Sequence, residues 1–490
     1  MNRQTLIKTI VLLLGFVLLS VPLWLKVDHL PLRLWDESRN AVNAAEMFES
    51  GDLIVRSFNY SPEEYNLKPP LLTWLQVLGM HVFGYEEIAI RLPSVLASIG
   101  SLILVYFIVF SITGNAIFSF LGSGITVTSA GFYGDHVGRF GDHDALLVFF
   151  CCLLVYHALR FIQSKHNKHL YFAGIAVCLG ILTKSISILV LIPGIVVVFG
   201  LNKSLIPTIK NKHFYIAMIS ALIPIGLYYG LREYYQPGFL SLVWNDELFP
   251  RYFNQSKNLQ FNEGDFWYYF KLIYSSHFKP WVFLLLTIPL AFFIKTKARK
   301  NLLSVIIIAL SFLLIISKGT KNFWYDAPLI PLLGIVATLS LYTLVSYKIN
   351  NRPIQIGLVL AILIFPFLNT YKVSLSTAEK HYNWENHGVS YFLKDQTKHK
   401  YLSNHTKIVL DSIYGFEPHK FYLEKLKSEE NIDLQRKWFA QVKVGDTLLV
   451  SHLSTQEALK AKFKLTTIDS INQYTKLLAV KQLSDSTNLY

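Results

Sequence analysis

Cysteine is almost missing from this chain. Its 490 residues hold three, Cys151, Cys152 and Cys178, and all lie inside apolar runs, so they read as small buried hydrophobes and exclude a disulfide framework or a thiolate metal cluster. Charge is scarce too: Asp, Glu, Lys and Arg make up 16% of the residues against 52% hydrophobic, too little for an ordinary soluble globule. Acidic residues are the rarer sign, 32 against 46 basic ones, for a net charge of +14. In a soluble protein that excess would raise nucleic acid as a partner. Here much of it lies in short loops between apolar blocks, where Lys and Arg face anionic headgroups on the cytoplasmic side, and nucleic acid is set aside. Internal repeats, low-complexity tracts, a nucleotide fingerprint and a small-residue cleavage site behind the first apolar run are also wanting, so that run is expected to remain as an anchor helix.

What is present is apolar sequence in blocks of about 20 residues, enough to cross roughly 30 Å of hydrocarbon as α-helix. The blocks fall near 6–25, 93–111, 114–133, 145–162, 169–184, 186–201, 213–230, 280–294, 302–317, 323–346 and 354–370, about eleven transmembrane helices. With Arg3 and Lys8 in the cytoplasm, that odd count puts every strongly basic short loop inside: Arg160, Lys165 and Lys168; Lys203, Lys210 and Lys212; Lys295, Lys297, Arg299 and Lys300; Lys348 and Arg352. The long connections 26–92 and 231–279 then lie on the periplasmic side of a bacterial inner (cytoplasmic) membrane. Trp35, Trp244, Trp267, Tyr268 and Tyr269 in them suit interfacial helices. From 371 the sequence turns polar, with strand-like runs at Lys407–Leu410 and Thr447–Ser451 and a helical pattern at Gln456–Lys464. The expected fold class is an α-helical polytopic membrane protein, transmembrane over 1–370, with a soluble extracytoplasmic α/β domain over 371–490.

Behind the first span, Leu34-Trp35-Asp36-Glu37-Ser38-Arg39 sets two carboxylates and an Arg at the membrane surface. Acids so close to lipid are costly unless they pair or serve, so the motif is either a charged stop before a salt-bridged interfacial helix or part of a site. Lys68 precedes Pro69-Pro70, which fixes an extended approach and a helix start. That holds the Lys at a defined point, as a ligand for lipid phosphate or an ordinary headgroup contact. His136, His143 and His277 read as interfacial, and no protein-bound metal site is assigned.

In order, Asp36-Glu37-Ser38-Arg39, Ser50-Gly51-Asp52, Lys68-Pro69-Pro70-Leu71, Phe83-Gly84 and Arg91-Leu92-Pro93-Ser94 resemble the ArnT and protein O-mannosyltransferase (PMT) group of the GT-C glycosyltransferases. The likeness continues with Asp144-Ala145-Leu146-Leu147, Leu182-Thr183-Lys184, Glu247 with Arg251, Lys318, and Tyr325 with Pro328 and Pro331, so it covers roughly residues 1–345. The resemblance implies transfer of one sugar, hexosyl or pentosyl, from a polyprenyl-phosphate (undecaprenyl-phosphate) donor to an extracytoplasmic acceptor such as lipid A, another glycolipid or a protein.

It implies Asp36, Glu37 and Asp144 as catalytic acids, Asp36 being the general base for a hydroxyl acceptor with Glu37 or Arg39 positioning it. Arg39, Lys68, Lys184, Glu247, Arg251, Lys318 and Tyr325 would bind substrate, and Lys68, Lys184, Arg251 and Lys318 would meet the charge on the leaving phosphate. For a phosphate acceptor the acids would orient substrate or hold a divalent cation. The chain departs from the group at Ser38, often Ala or Pro, and at Asn40, often Tyr. Asp142 is a second candidate acid beside Asp144, which is preferred because it immediately precedes the helix. Eleven spans against the thirteen typical of ArnT leave the acceptor open. The competing readings are an oligosaccharide ligase on the same fold and a transporter or flippase, which would bury charges at the midplane of pseudo-symmetric halves.

Overall fold

The computed structural model describes residues 3–483 apart from 135, 250–264, 295–296, 350, 380–381, 383, 411–416 and 474. Among the described residues, seven helices are long and apolar enough to cross a membrane. The pair Tyr268–His277 and Lys279–Phe293, bent by 86°, makes an eighth if it is one crossing, and Thr9–Trp24, Leu71–Phe83 and Ala116–Val127 are shorter apolar helices. The expected class, helical and polytopic, is the one observed.

The 34-residue stretch Lys168–Leu201 is not one rod. Ser185 takes a φ of +50°, Lys165 Nζ donates to Ser204 Oγ, and Asn211 Nδ2 donates to Asn167 Oδ1. A straight helix would hold those ends about 50 Å apart at 1.5 Å per residue, so the chain reverses at Ser185 and returns as a second arm. The break expected near residue 185 is this reversal.

Side-chain contacts sort the helix ends into two groups. One end joins Tyr342 to Thr113, Asn115 to Gln355 and Lys165 to Ser204. The other joins Glu37 to Arg91, Asp144 to Lys184, Trp281 to Thr128 and His277 to Asp326. His143–Ser164 and Leu329–Ser346 run through the centre, 72% of each apolar window being buried, whereas Lys212–Tyr235 and Pro353–Ser376 are 17% buried and turn most of their apolar surface outward. Close packing needs small residues: a Cβ at Gly174 would stand 2.9 Å from the Ala217 carbonyl oxygen of the neighbouring helix.

At the acidic end, the first connection folds into the helix Asp36–Ser50, a hairpin of β1 (Ser57–Phe58) and β2 (Ser61–Pro62), and the helix Leu71–Phe83, which starts behind Pro69-Pro70. Asp36 and Glu37 occupy the first turn of their helix, where its positive end favours them. Gly51 closes it in the left-handed region, at φ +70°.

Beyond the helix Arg352–Glu379, the C-terminal part forms a mixed five-stranded sheet, β3 (Thr406–Leu410), β4 (Gln435–Trp438), β5 (Thr447–Val450), β6 (Phe463–Ser470) and β7 (Lys476–Leu483), in the order β4-β3-β5-β7-β6. β3 pairs parallel with β4 and β5, and β7 antiparallel with β5 and β6. The two strand-like runs appear as β3 and β5, and the helical pattern as Leu453–Lys462. One face of the sheet shares a core with the first connection: Ile408, Leu449, Phe392 and Phe421 pack in one cluster with Ala41, Met47 and Met80.

Candidate active site

The site rests on a buried ion pair. Arg91, from the helix Glu87–Thr113, grips Glu37 twice, Nε to Oε1 at 2.7 Å and Nη2 to Oε2 at 3.0 Å. Its other donors reach the carbonyls of Val27, Leu30 and Pro31, so all five guanidinium hydrogens are engaged. Glu37 also accepts from the backbone N–H groups of Arg33 and Gly141. Burial alone would raise its pKa, but the Arg91 charge and these bonds outweigh it and hold the carboxyl below its ordinary range. Glu37 therefore ties the first connection to the loop that carries Gly141.

Arg39, one turn on from Asp36, is held by Glu63 and two aromatic rings. It forms a two-point bond to Glu63, Nε to Oε2 at 3.0 Å and Nη2 to Oε1 at 2.9 Å, and stacks over Phe58 and Tyr65. Burial raises the Glu63 pKa, yet Arg39, Asn43 and the Tyr65 N–H bring it down to about 2. Glu63 holds the N–H of Asn66, and Asn66 Nδ2 donates to Asn40 Oδ1. Asn40 Nδ2 in turn donates to the Gly141 carbonyl. Lys68 Nζ, 3.4 Å from Asn66 Oδ1, stands at the open end of this polar chain.

Asp36 keeps partial exposure and meets His136 and Asp142. His136 Nδ1 lies 2.6 Å from Asp142 Oδ2 and 3.6 Å from Asp36 Oδ2, with its ring stacked 3.8 Å over Trp324. Asp142 caps the helix His143–Ser164 by accepting from the His143 N–H. Burial opposes charge on both groups, but their mutual attraction raises the His136 pKa and lowers that of Asp142. One ligand atom each from Asp36, His136 and Asp142 fall within 4.8 Å of one another, and two carboxylates with an imidazole suit a divalent cation of the Mg²⁺, Mn²⁺ or Zn²⁺ type. A cation there would displace the His136–Asp142 hydrogen bond.

Two residues on, Asp144 faces a different partner. Both its oxygens lie 2.6 Å from Lys184 Nζ, and the pair is almost completely buried. The ammonium sits 5.2 Å above the Tyr325 ring, a cation–π contact. Asp144, Lys184, Ser187 and Tyr325 form the polar wall of a cavity whose apolar wall includes Phe312 and Ile316. The loop carrying Tyr325 is fixed by His277, 2.9 Å from the buried Asp326, and by Tyr269 donating to the Asn322 carbonyl.

The structure thus brings Asp36, Asp144, Lys68, Lys184 and Tyr325 to one end of the helices, while Glu37 and Arg39 brace that end through other partners. Glu247 is buried in a π-helical turn, Val243–Leu248, whose Val243 packs with Leu67, next to Lys68. Lys318 is exposed, on the loop that passes the cavity at Gly319 and Thr320. Arg251 lies outside the described residues. His136 joins the acid cluster although the sequence offered no reason to choose it; Asp142, the second candidate acid of the Asp142-His143-Asp144 run, joins it too, so both acids of that run have a place.

Residues 67–229 match the family described as dolichyl-phosphate-mannose-protein mannosyltransferase. An uncharacterized protein of Aquifex aeolicus (strain VF5) is 26% identical over 323 residues, 64% of this chain and 61% of its own length, so the chain spans about three fifths of that relative. A protein of Bacillus subtilis (strain 168), named provisionally as the mannosyltransferase YkcB, is 28% identical over 32% of this chain and 21% of its own. Among solved structures, ArnT from Cupriavidus metallidurans bound to undecaprenyl phosphate superposes with a TM-score of 0.68 at 16% identity, covering 95% of this chain and 97% of that one. The apo oligosaccharyltransferase of Archaeoglobus fulgidus reaches 0.51 at 11% identity, over 87% of this chain and 64% of that one. Over nearly its whole length the chain shares the fold of that ArnT structure.

Proposed function

We propose that this protein transfers one sugar from a polyprenyl-phosphate donor, with undecaprenyl phosphate as the carrier, to an acceptor on the extracytoplasmic side of a bacterial cytoplasmic membrane. The observation that carries the reading is the Asp144–Lys184 pair in a cavity with one polar and one apolar wall, the shape of a site for an amphiphile with an anionic head. In the reaction the bond from the sugar anomeric carbon to the phosphate oxygen breaks, the acceptor oxygen bonds that carbon, and the leaving phosphate keeps the electron pair. Lys184, with Lys68 at the open end of the polar chain, meets the developing charge. For a hydroxyl acceptor, Asp36 takes the proton, being the most exposed acid of the cluster. Where the acceptor is a phosphate, the cluster instead orients substrate or holds a divalent cation, which would screen the phosphate charge.

The bound undecaprenyl phosphate of the Cupriavidus metallidurans ArnT and the mannosyltransferase family match support a lipid-linked donor. Lys165, Lys168, Lys203, Lys210 and Lys212 cluster at the end opposite the acids, which supports a cytoplasmic basic end. The acids and the C-terminal sheet would then both face outward. Charges at helix ends speak against a transporter, whose charges would sit near the midplane. Mass spectrometry of lipid A and surface glycans from a deletion strain is expected to reveal one class lacking a single sugar, and unchanged glycans together with purified protein inert towards an undecaprenyl-phosphate sugar would contradict the proposal.

A further inference from the structure

The turn that delivers Asp36 is strained. Trp35, immediately before it, takes a φ of +78° with a ψ of −129°, a positive-φ conformation that is costly for a bulky residue and persists when its surroundings over-determine it. Besides Arg91 and Glu37, which hold Leu30, Pro31 and Arg33, the surroundings here include the C-terminal part of the chain. The Leu34 N–H donates to His387 Nε2 at 3.0 Å, and the Leu32 N–H donates to the Tyr422 hydroxyl at 2.9 Å. Tyr422 in turn donates to Glu87 Oε1 at 2.5 Å, and Lys394 bridges Glu87 Oε2 and the Asp28 carbonyl. Leu32, His387 and Tyr422 are buried and Leu34 is half-buried, so the Leu32 N–H has no water to fall back on.

We infer that His387 and Tyr422 are positioning residues: through the N–H groups of Leu34 and Leu32 they hold the strained turn that aims Asp36, making the C-terminal sheet region part of the active-site framework. A backbone N–H can donate to His387 Nε2 only while that nitrogen carries no proton, so the ring's hydrogen is on Nδ1. The role rests on the sugar-transfer reading, but the contact itself does not.

The test uses the full chain with His387→Leu, His387→Gln and Tyr422→Phe, following hydrogen exchange in the segment 30–38 alongside transfer kinetics. Faster exchange at 32–34 is expected in His387→Leu and Tyr422→Phe, with kcat for transfer down by about 10²-fold, the scale of an ångström-level misplacement, and the donor KM little changed. His387→Gln, whose side-chain carbonyl can accept the same N–H, should recover slow exchange and most of kcat. Unchanged exchange in both His387→Leu and Tyr422→Phe overturns the inference whatever the activity. So does faster exchange with kcat intact, or a Gln variant no better than Leu. Faster exchange in a protein whose wild type transfers no sugar would sink the proposed function and leave the clamp on the turn standing.

Discussion

Asp36 and Glu37 are neighbours in sequence with different physical situations. Glu37 is buried in a two-point bond to Arg91, so Glu37→Gln leaves an uncompensated guanidinium in the interior, a loss of about 3–5 kcal/mol for a broken buried pair. Asp36→Asn removes a charge from a partly exposed group and should leave the thermal transition of the purified protein nearly unmoved. Equal melting temperatures for the two variants would show that the acids are not divided in this way. At Lys68, an Ala variant should lose use of the lipid-linked donor and an Arg variant should keep much of it, because the positive charge survives; donor dependence unaltered in Lys68→Ala would remove that residue from the site. The sequence located the acidic motif but could not apportion it. Arg91 stands 54 residues from Glu37, and which acid it takes depends on how the helix Glu87–Thr113 packs. Arg39 beside the acids looked like their partner, whereas Glu63, on the far side of the hairpin, holds it. His136 reaches Asp36 only because its loop folds back onto the first connection.

Among the elements, the apolar blocks were legible because hydrocarbon thickness sets their length, and the reversal at Ser185 because it interrupts the apolar run between Lys184 and Ile188. The C-terminal elements were legible where strand patterning is dense, at β3 and β5. The helix Glu417–Glu430 and the pair β6–β7 were not anticipated. Half of that helix is charged, and its buried face, with Phe421, Tyr422 and Leu426, takes meaning only against the membrane-side helices. Its His419, which meets Ser390, should make the packing of the C-terminal region acid-sensitive. Burial first, then the neighbouring His387, His452 and Arg436, lowers the His419 pKa to about 3. The folded state thus holds the ring neutral: the stabilisation is complete above the ordinary value of about 6.5 and is lost as pH falls from there towards 3. Melting curves recorded from pH 7 to pH 4 should show the C-terminal region loosening on the acid side, with a shallower fall in His419→Gln. A slope identical in the two proteins would remove His419 as the cause.

For the whole molecule, the acidic end and the C-terminal sheet lie together, and the basic loops lie at the other end. Single cysteines at the exposed positions Glu64 and Lys427 should react with an impermeant thiol reagent added to intact cells stripped of their outer membrane, and one at exposed His166 should not. The three native cysteines are buried and should stay silent. Labelling of His166→Cys with protection of Lys427→Cys would invert the assignment of faces. The proposed transfer takes a sugar off a polyprenyl phosphate at this end of the molecule, with Asp36 in the His136 cluster and Asp144 beside the Lys184 cavity both required. It is tested most directly by following release of undecaprenyl phosphate from an undecaprenyl-phosphate-linked sugar by the purified full-length protein, alone and with acceptor lipid. Wild-type protein should turn over with acceptor present, and Asp36→Asn should be slower by about 10² to 10⁴, the range of a general-base contribution. Asp144→Asn should be comparably impaired, and the double variant little worse than either single one, as for residues acting as a unit. Folded Asp36→Asn protein working at the wild-type rate would contradict the account.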